Sequence, residues 1–267
     1  MFAFIPTPSR STLELGFFTI HYYALCILLG IIVAIWVTKR RYSQFGGNVT
    51  DVTDIAFFAV PAGIIGGRIY HVITSPANYF GENGSPIEIF KIWNGGLGIW
   101  GAISLGALAV FIYFKVKKTS LSFSYLADAI APALLIAQGI GRFGNWFNGE
   151  LFGQPTELPW ALEIPIANRP TVFSEFSTFH PTFLYEALWC FAIATFILRS
   201  KYLNSLAGSG ASFAFYVTAY SIGRLFIEMI RIDEANTIFG LRLNIWVALI
   251  MAIGAGALFA RLRSAKK

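Results

Sequence analysis

Seven long apolar runs alternate with short polar connections along this chain. A helix needs about 20 apolar residues to cross a bilayer, and the runs come close to or exceed that length. The pattern therefore predicts an all-α polytopic membrane protein with seven transmembrane helices. The predicted spans are Phe17–Thr38, Ile55–Thr74, Ile92–Phe114, Phe123–Ile140, Phe183–Leu198, Ser212–Ile230 and Leu243–Ala260.

The stretch between the fourth and fifth runs, Leu151–Pro181, is too interrupted by proline to form a span. Its apolar residues suit a few short strands, so we expect a small folded head outside the bilayer. The head is an insertion within a single membrane domain covering residues 1–267. The first residues, Met1–Gly16, contain Pro6 and Pro8 and are expected to lie along a membrane surface; no secretory signal pattern is apparent within Met1–Arg10.

Basic residues cluster at alternate connections, in segments 39–41, 115–118, 199–201 and 261–267. Clusters at alternate connections of a seven-span chain all fall on one face of the membrane. By the positive-inside rule that face is cytoplasmic. The expected location is therefore a bacterial cell membrane, with the N-terminus and the head outside and the C-terminus in the cytoplasm.

Composition supports a membrane protein and argues against nucleic-acid binding. Hydrophobic residues make up 56% of the chain and charged residues 13%, with a mean hydropathy of +0.62. The net charge of +6 comes from clusters between apolar runs and not from one basic face. Cys26 and Cys190 both lie within apolar runs, so free buried thiols are expected.

The segment Gly141–Gly153, GRFGNWFNGELFG, concentrates polar residues at the end of an apolar run. An arginine beside a spanning segment is costly and marks a candidate functional site. The glycines of this segment allow close approach of a ligand to the backbone. Arg142 offers a bidentate fork suited to phosphate, and Asn145 and Asn148 offer amides.

Two further arginines, Arg68 and Arg224, fall at a similar depth. At 1.5 Å per helical residue, Arg68 lies roughly 20 Å from the inner end of its span, in the outer half of the bilayer. A glycine precedes Arg68, Arg142 and Arg224 alike, which indicates either room for helix packing or a degenerate repeat. Glu228 follows Arg224 at i+4, on the same helix face, and could hold it.

An arginine near a helix end commonly snorkels to the interface, and this alternative stays open for Arg68 and Arg231. For Arg142 and Arg224, the glycine and asparagine surroundings favour a ligand instead. Arginines at the depth of the outer headgroups suit the phosphate of a lipid. Two guanidinium groups can neutralise a phosphodiester and stabilise it as it leaves.

The chain resembles the bacterial prolipoprotein diacylglyceryl transferases. GRFGNWFNGELFG is similar to the signature of that family, and the other blocks follow in the family's order along essentially the whole chain. Those blocks are IHYYAL at 20–25, GGRIYHV at 66–72, WNGGLGIWGA at 93–102, HPTFLYE at 180–186 and GRLFIEMIR at 223–231. The resemblance implies transfer of the diacylglyceryl group of phosphatidylglycerol to the lipobox cysteine thiol of a prolipoprotein signal peptide. The products are a thioether and glycerol phosphate.

The resemblance also implies site residues. The expected catalytic residues are Tyr23, Arg142, Asn145, Glu150 and Arg224. The expected substrate-binding residues are Arg68, Trp100, Arg142, Asn148, Gly153, His180, Tyr185, Glu186, Arg224 and Glu228. We expect no metal and no cofactor, and the partners are phosphatidylglycerol, prolipoprotein signal peptides and membrane lipids.

One position departs from the family's pattern. Many members carry a histidine after the glycine turn of the third span, often proposed as the catalytic base, and this chain has Trp100 there. We expect an active enzyme in which Trp100 shapes the lipid pocket. The thiol proton would then pass to water or to another outer group, with His21, His180, Glu150 and Glu186 as candidates.

Two other function classes fit less well. A transporter of a lipid or small anionic solute places polar groups near the midplane, commonly at broken helices, whereas here they are biased to one leaflet. A purely structural membrane scaffold leaves the arginines unexplained.

Overall fold

A computed structural model describes residues 4–16, 18–82 and 84–265. Among these residues, seven helices are long and apolar enough to cross a membrane, which confirms the predicted fold class. The helices, including two short ones, are α1 (Tyr22–Gln44), α2 (Val49–Thr74), α3 (Ala77–Phe80), α4 (Ile99–Val116), α5 (Phe123–Asn148), α6 (Thr182–Arg199), α7 (Lys201–Ser205), α8 (Ala211–Ile230) and α9 (Leu243–Ser264).

Short strands accompany the helices. They are β1 (Ile5–Pro6), β2 (Thr12–Leu15), β3 (Phe18–His21), β4 (Leu162–Glu163), β5 (Thr178–Phe179), β6 (Thr237–Ile238) and β7 (Leu241–Arg242). β2 pairs antiparallel with β3, and β6 with β7, while β1, β4 and β5 form a three-stranded sheet in that order.

The described residues divide into two compact units. One contains residues up to 41 and from 124 onward, and the other contains residues 42–123. The first unit has its core where α5, α6 and α8 pack together. Leu135, Cys190, Ile197 and Tyr216 are buried there. Cys190 is a free buried thiol, as predicted, whereas Cys26 is free but only half-buried.

A carboxylate fixes the start of α8 against α5. Asp128, fully buried in α5, accepts hydrogen bonds at Oδ2 from the backbone N–H groups of Gly208 and Gly210, both 2.9 Å, and at Oδ1 from that of Ser212, 2.8 Å. An acidic group at a helix N-terminus satisfies otherwise unpaired N–H groups. This contact links the two helices that carry Arg142 and Arg224 at their opposite ends.

The predicted head contains the expected short strands and has an apolar cluster of its own. Phe152, Leu162, Ile164 and Phe179 are buried in it, together with Phe183 from the first turn of α6. The first strand, Ile5–Pro6, extends this sheet by pairing in parallel with Leu162–Glu163. The sequence pattern of the first residues does not by itself indicate this pairing.

Several predicted span boundaries are wrong. The first helix continues past Thr38 to Gln44, and the second begins at Val49 and not at Ile55. Three further boundaries differ for identifiable reasons. Residues 18–21 form a hairpin strand, so the first helix starts at Tyr22; Phe17 itself lies outside the described residues. The third helix starts only at Ile99, after two short 3₁₀ turns. The fourth, α5, continues through Arg142 to Asn148, because its polar residues find partners inside the protein.

The unit of residues 42–123 contains α2, which runs unbroken through Gly66-Gly67-Arg68. Gly66 packs directly on the backbone of Gly101 in α4, where a side chain would clash with the Gly101 carbonyl. Gly67, the glycine directly before Arg68, also faces a neighbour closely, since a side chain there would meet the Gly98 carbonyl and Ala102. It thus serves close helix packing, as predicted.

Candidate functional site

One buried carboxylate joins three helices in the first unit. Glu186 in α6 lies with Oε1 2.6 Å from Arg142 Nη2 of α5, and with Oε2 3.1 Å from Arg224 Nη1 of α8. The hydroxyl of Tyr220 donates to Glu186 Oε1 at 2.8 Å. The side chain of Glu186 is 3% exposed, whereas those of Arg142 and Arg224 are 22% and 17% exposed.

The spacing of residues along α8 determines which side chains share the face that carries Arg224. Tyr220, Arg224 and Glu228 follow one another at i+4 and share one face of α8. Gly223 makes room for the ring of Trp189, whose Nε1 donates to the Ala219 carbonyl at 2.9 Å. In the part of the chain that the structure describes, no atom outside the neighbouring helix backbone lies within 4 Å of a Cβ placed at Gly141, so the predicted packing role of a glycine before arginine is wrong at that position.

A second cluster continues from Arg224. Its Nη2 lies 2.6 Å from Oε2 of Glu228, which is fully buried. Glu228 Oε1 accepts hydrogen bonds from Arg242 Nε, 2.7 Å, and Asn244 Nδ2, 3.1 Å. Glu228 therefore contacts Arg224 as predicted. Arg242 and Asn244, around the start of α9, fix the position of Glu228.

Arg231 and Arg242 enclose Asp233. Arg231 donates through Nε and Nη2 to the two carboxylate oxygens, each at 2.7 Å, and Arg242 Nη2 lies 3.0 Å from Oδ2. Burial alone raises the pKa of Asp233, but the two guanidinium groups outweigh it and hold the pKa below its usual range. The Arg231 side chain is only 7% exposed, so the alternative that it snorkels to the interface is wrong.

The arginines and carboxylates described above form one ion-pair network, and its net charge indicates what it can bind. Among the described residues, four guanidinium groups (Arg142, Arg224, Arg231, Arg242) interact with three carboxylates (Glu186, Glu228, Asp233). One positive charge is left in excess. A group with a single negative charge, such as a phosphodiester, would balance these ion-paired side chains; the count leaves out Glu150, which is joined to Arg142 only through Asn145.

Asn145 connects Arg142 to Glu150. It accepts from Arg142 Nη1 at 3.3 Å and donates through Nδ2 to Glu150 Oε1 at 2.9 Å. Asn148 donates to the same oxygen at 3.1 Å. The ring of Tyr23 packs against Gly144, and its hydroxyl interacts electrostatically with Glu150 and Arg142.

The chain turns sharply after α5. Gly149 and Leu151 adopt left-handed conformations, with φ of 60° and 57°. This conformation is costly for leucine and persists only where the surroundings enforce it. Here Thr182 Oγ1 donates to the Leu151 carbonyl, and the Gly153 N–H donates to the His180 carbonyl at 2.9 Å. Gly153 is thus packed against His180.

His180 and Tyr185 form a separate group. His180 Nδ1 lies 3.1 Å from the Tyr185 hydroxyl, which also accepts from Trp160 Nε1 at 3.0 Å. Burial lowers the pKa of His180, so its ring is neutral at pH 7.

Two openings adjoin the network. A narrow cavity is lined by Arg142, Asn145, Leu151, Thr182, Phe183, Glu186 and Arg231. A groove of about 310 Å³ is lined by Asn148, Gly149, Glu150, Leu151, Phe152, Asn168, Pro170, Ile232 and Asp233. Leu151 belongs to both linings, so the cavity and the groove are neighbours.

Comparison with known sequences identifies the family of this chain. The profile of the prolipoprotein diacylglyceryl transferase family matches residues 10–261. The chain belongs to this family. A phosphatidylglycerol–prolipoprotein diacylglyceryl transferase 2 of Streptomyces coelicolor is 48% identical over 255 residues, covering 96% of this chain and 80% of that protein. Transferases with the same name, without the numeral, are 46% identical in Bifidobacterium adolescentis (94% and 77% covered) and 48% identical in Corynebacterium glutamicum (99% and 86% covered).

Not every residue implied by the transferase family meets in this network. Arg68 and Trp100 belong to the unit of residues 42–123. The Arg68 guanidinium donates to the backbone carbonyls of Glu88, Ile89, Lys91, Gly95 and Gly96, and the residue is 7% exposed. It therefore organises a loop, which excludes the snorkelling alternative, and its substrate-binding role stays a prediction. Trp100 is half exposed in the first turn of α4.

Four members of the network were not identified from the sequence, namely Tyr220, Asp233, Arg242 and Asn244, and Arg231 was assigned no site role. Tyr220 could have been found, because it precedes Arg224 by one helical turn. The other three lie in or beside the connection to α9, where no periodicity signals a contact. Among the described residues, no group of three or more His, Cys, Asp or Glu side chains could hold a metal ion.

Proposed function

We propose that this chain transfers the sn-1,2-diacylglyceryl group of phosphatidylglycerol to the lipobox cysteine thiol of a prolipoprotein, forming a thioether and releasing glycerol phosphate. This is the first step of bacterial lipoprotein maturation. Membership of the transferase family supports the reaction. The observation that carries the site assignment is the pair of arginines, Arg142 and Arg224, joined by one buried carboxylate.

The phosphate of the lipid would bind where Glu186 now joins the two guanidinium groups. A phosphodiester is itself an acceptor of two-pronged arginine contacts, so it can share or replace the carboxylate. The excess positive charge of the network favours that exchange.

Bond cleavage moves negative charge onto the departing phosphate oxygen. Guanidinium groups fixed in a water-poor site stabilise such charge more effectively than water does. Glu228 contacts Arg224 and is itself held by Arg242 and Asn244, while Asn145 contacts Arg142. The site is therefore organised before the lipid binds.

The test is transfer by the purified full-length protein. A lipobox peptide with one cysteine is incubated with phosphatidylglycerol, and its mass is measured. The expected result is a gain equal to one diacylglyceryl group, with stoichiometric release of glycerol phosphate. A peptide with serine in place of the cysteine is the control, and an unchanged mass of the cysteine peptide would contradict the proposal.

We propose further that the chain lies in the bacterial cell membrane with the head outside and the C-terminus in the cytoplasm. Basic residues in the last turns of α1, α4, α6 and α9 support this orientation. In a Cys26→Ala, Cys190→Ala background, Val172→Cys should react with an impermeant thiol reagent on intact cells, whereas Ser264→Cys should not. The opposite labelling would reverse the orientation.

A further inference from the structure

We propose that Glu150 accepts the proton of the substrate thiol, and that the groove beside it receives the thiol-bearing peptide. The inference rests on the proposed transfer reaction. It fills the role that Trp100 leaves open in this chain.

Glu186 is poorly suited to take this proton. Its Oε1 already contacts Arg142 and Tyr220, and its Oε2 contacts Arg224. Both oxygens are therefore already occupied by hydrogen-bond donors, and neither is open to the substrate thiol.

The two histidines lie in other surroundings. His180 Nδ1 contacts the Tyr185 hydroxyl, which in turn accepts from Trp160. These contacts do not include the arginines. His21 is exposed in strand β3, opposite Thr12. Neither makes a described hydrogen bond to Arg142, Asn145 or Glu150.

Glu150 combines an available oxygen with a fixed position. Both amide donors, from Asn145 and Asn148, bind Oε1, and among the described residues Oε2 has no hydrogen-bond partner. Asn145 also binds Arg142, so one amide separates the carboxylate from the phosphate-binding guanidinium. Displacement at the glyceryl carbon requires the sulfur and the departing phosphate on opposite sides of that carbon. Arg142 and Glu150 bind different atoms of the Asn145 amide, Oδ1 and Nδ2, so the guanidinium and the carboxylate occupy separate positions around one side chain.

The groove next to Glu150 suits an uncharged peptide. Leu151, Phe152 and Ile232 contribute apolar surface, while Asn148 and Asn168 offer amide groups for a peptide backbone. The charged and titratable groups facing Glu150 are Asp233 across the groove, Arg142 beyond Asn145, and the Tyr23 hydroxyl. Asp233 is neutralised by Arg231 and Arg242, so it leaves Glu150 as the free anion of the groove.

The step balances as follows. The thiol gives its proton to Glu150 Oε2 while the sulfur electron pair forms the bond to the glyceryl carbon. The bond from that carbon to the phosphate oxygen breaks, and its electron pair leaves with glycerol phosphate beside Arg142 and Arg224. Glu150 then releases the proton to solvent.

The test compares Glu150→Gln with the unaltered enzyme across pH. At pH 7 the variant should lose about 10²- to 10⁴-fold in kcat, the usual contribution of general-base catalysis. Its rate should then rise about tenfold per pH unit up to the thiol pKa of about 8.5, because solvent-generated thiolate replaces the lost base. Glu157→Gln, at an exposed glutamate of the head, is the matched control and should behave as the unaltered enzyme does.

A peptide with selenocysteine in place of cysteine shows whether Glu150 acts as a base or only supports the structure of the site. A selenol is a much stronger acid than a thiol and needs no base at neutral pH, so Glu150→Gln should recover most of its rate with this peptide. A deficit that is the same for both peptides and at every pH, in a variant that binds phosphatidylglycerol normally, would overturn the inference. If the unaltered enzyme transfers nothing to either peptide, the proposed function itself fails.

Discussion

Arg142 Nη2 lies 2.6 Å from Glu186 Oε1, joining the end of α5 to the first turn of α6. The same carboxylate holds Arg224 of α8 at 3.1 Å. Breaking a buried ion pair on one side leaves an uncompensated charge and is strongly destabilising. Glu186 is therefore both a structural link and the group that a phosphate must share or displace.

Removing the charge of Glu186 should affect both the stability of the fold and the binding of the lipid phosphate. In Glu186→Gln, Arg142 and Arg224 lose their shared negative partner, and the folded state should lose about 3 kcal/mol or more. Added phosphatidylglycerol should restore more thermal stability to this variant than to the unaltered protein, because the phosphate supplies the missing charge. Thermal unfolding in detergent with and without the lipid measures both effects. Equal stabilisation of the two proteins would contradict a phosphate at this position.

Both the planar donor pair of each arginine and its positive charge should contribute to activity. Arg142→Lys and Arg224→Lys keep a cation but lose the planar pair of donors, so each should reduce kcat/KM by about tenfold or more. The corresponding alanine variants should lose about 10²- to 10³-fold, by analogy with loss of one stabilising donor for the departing charge. The peptide mass assay gives these ratios, and Arg169→Lys in the head is a control with an arginine outside the network.

Asp233 should make the stability of the protein depend on acid pH. Its folded-state pKa lies below its unfolded value because of Arg231 and Arg242. The resulting stability is fully present above the unfolded pKa of about 3.9 and is lost as pH falls through the folded pKa. Asp233→Asn should therefore lower the melting temperature at pH 6 and make it less sensitive to acid below pH 4. Unchanged acid sensitivity in the variant would mean that Asp233 is not the group responsible.

Trp100 should not be catalytic. Trp100→Phe keeps an apolar ring at the same position of α4, so it should retain a substantial fraction of the transfer rate and the same pH profile. Arg142→Ala, assayed in the same experiment, shows how far the transfer rate falls when a catalytic residue is removed. If Trp100→Phe falls as far as Arg142→Ala, Trp100 takes part in the chemistry.

The number of spans and most of their ends are determined locally. A helix in a bilayer satisfies its own backbone hydrogen bonds, so a sufficiently long apolar run indicates a span without knowledge of its neighbours. The predicted starts of the last three spans, Phe183, Ser212 and Leu243, accordingly fall within one residue of α6, α8 and α9. The i+4 pair of Arg224 and Glu228 was predictable for the same reason.

Only the tertiary structure determined how far α5 extends and which groups its polar end meets. The polar residues of Gly141–Gly153 favour a loop when considered alone. They continue as helix to Asn148 because Glu186 and Glu150 satisfy Arg142 and Asn145. Glu186 lies 38 residues from Arg224, and Arg242 lies 14 residues from Glu228. Such contacts depend on the packing of α5, α6, α8 and α9, which no local pattern specifies.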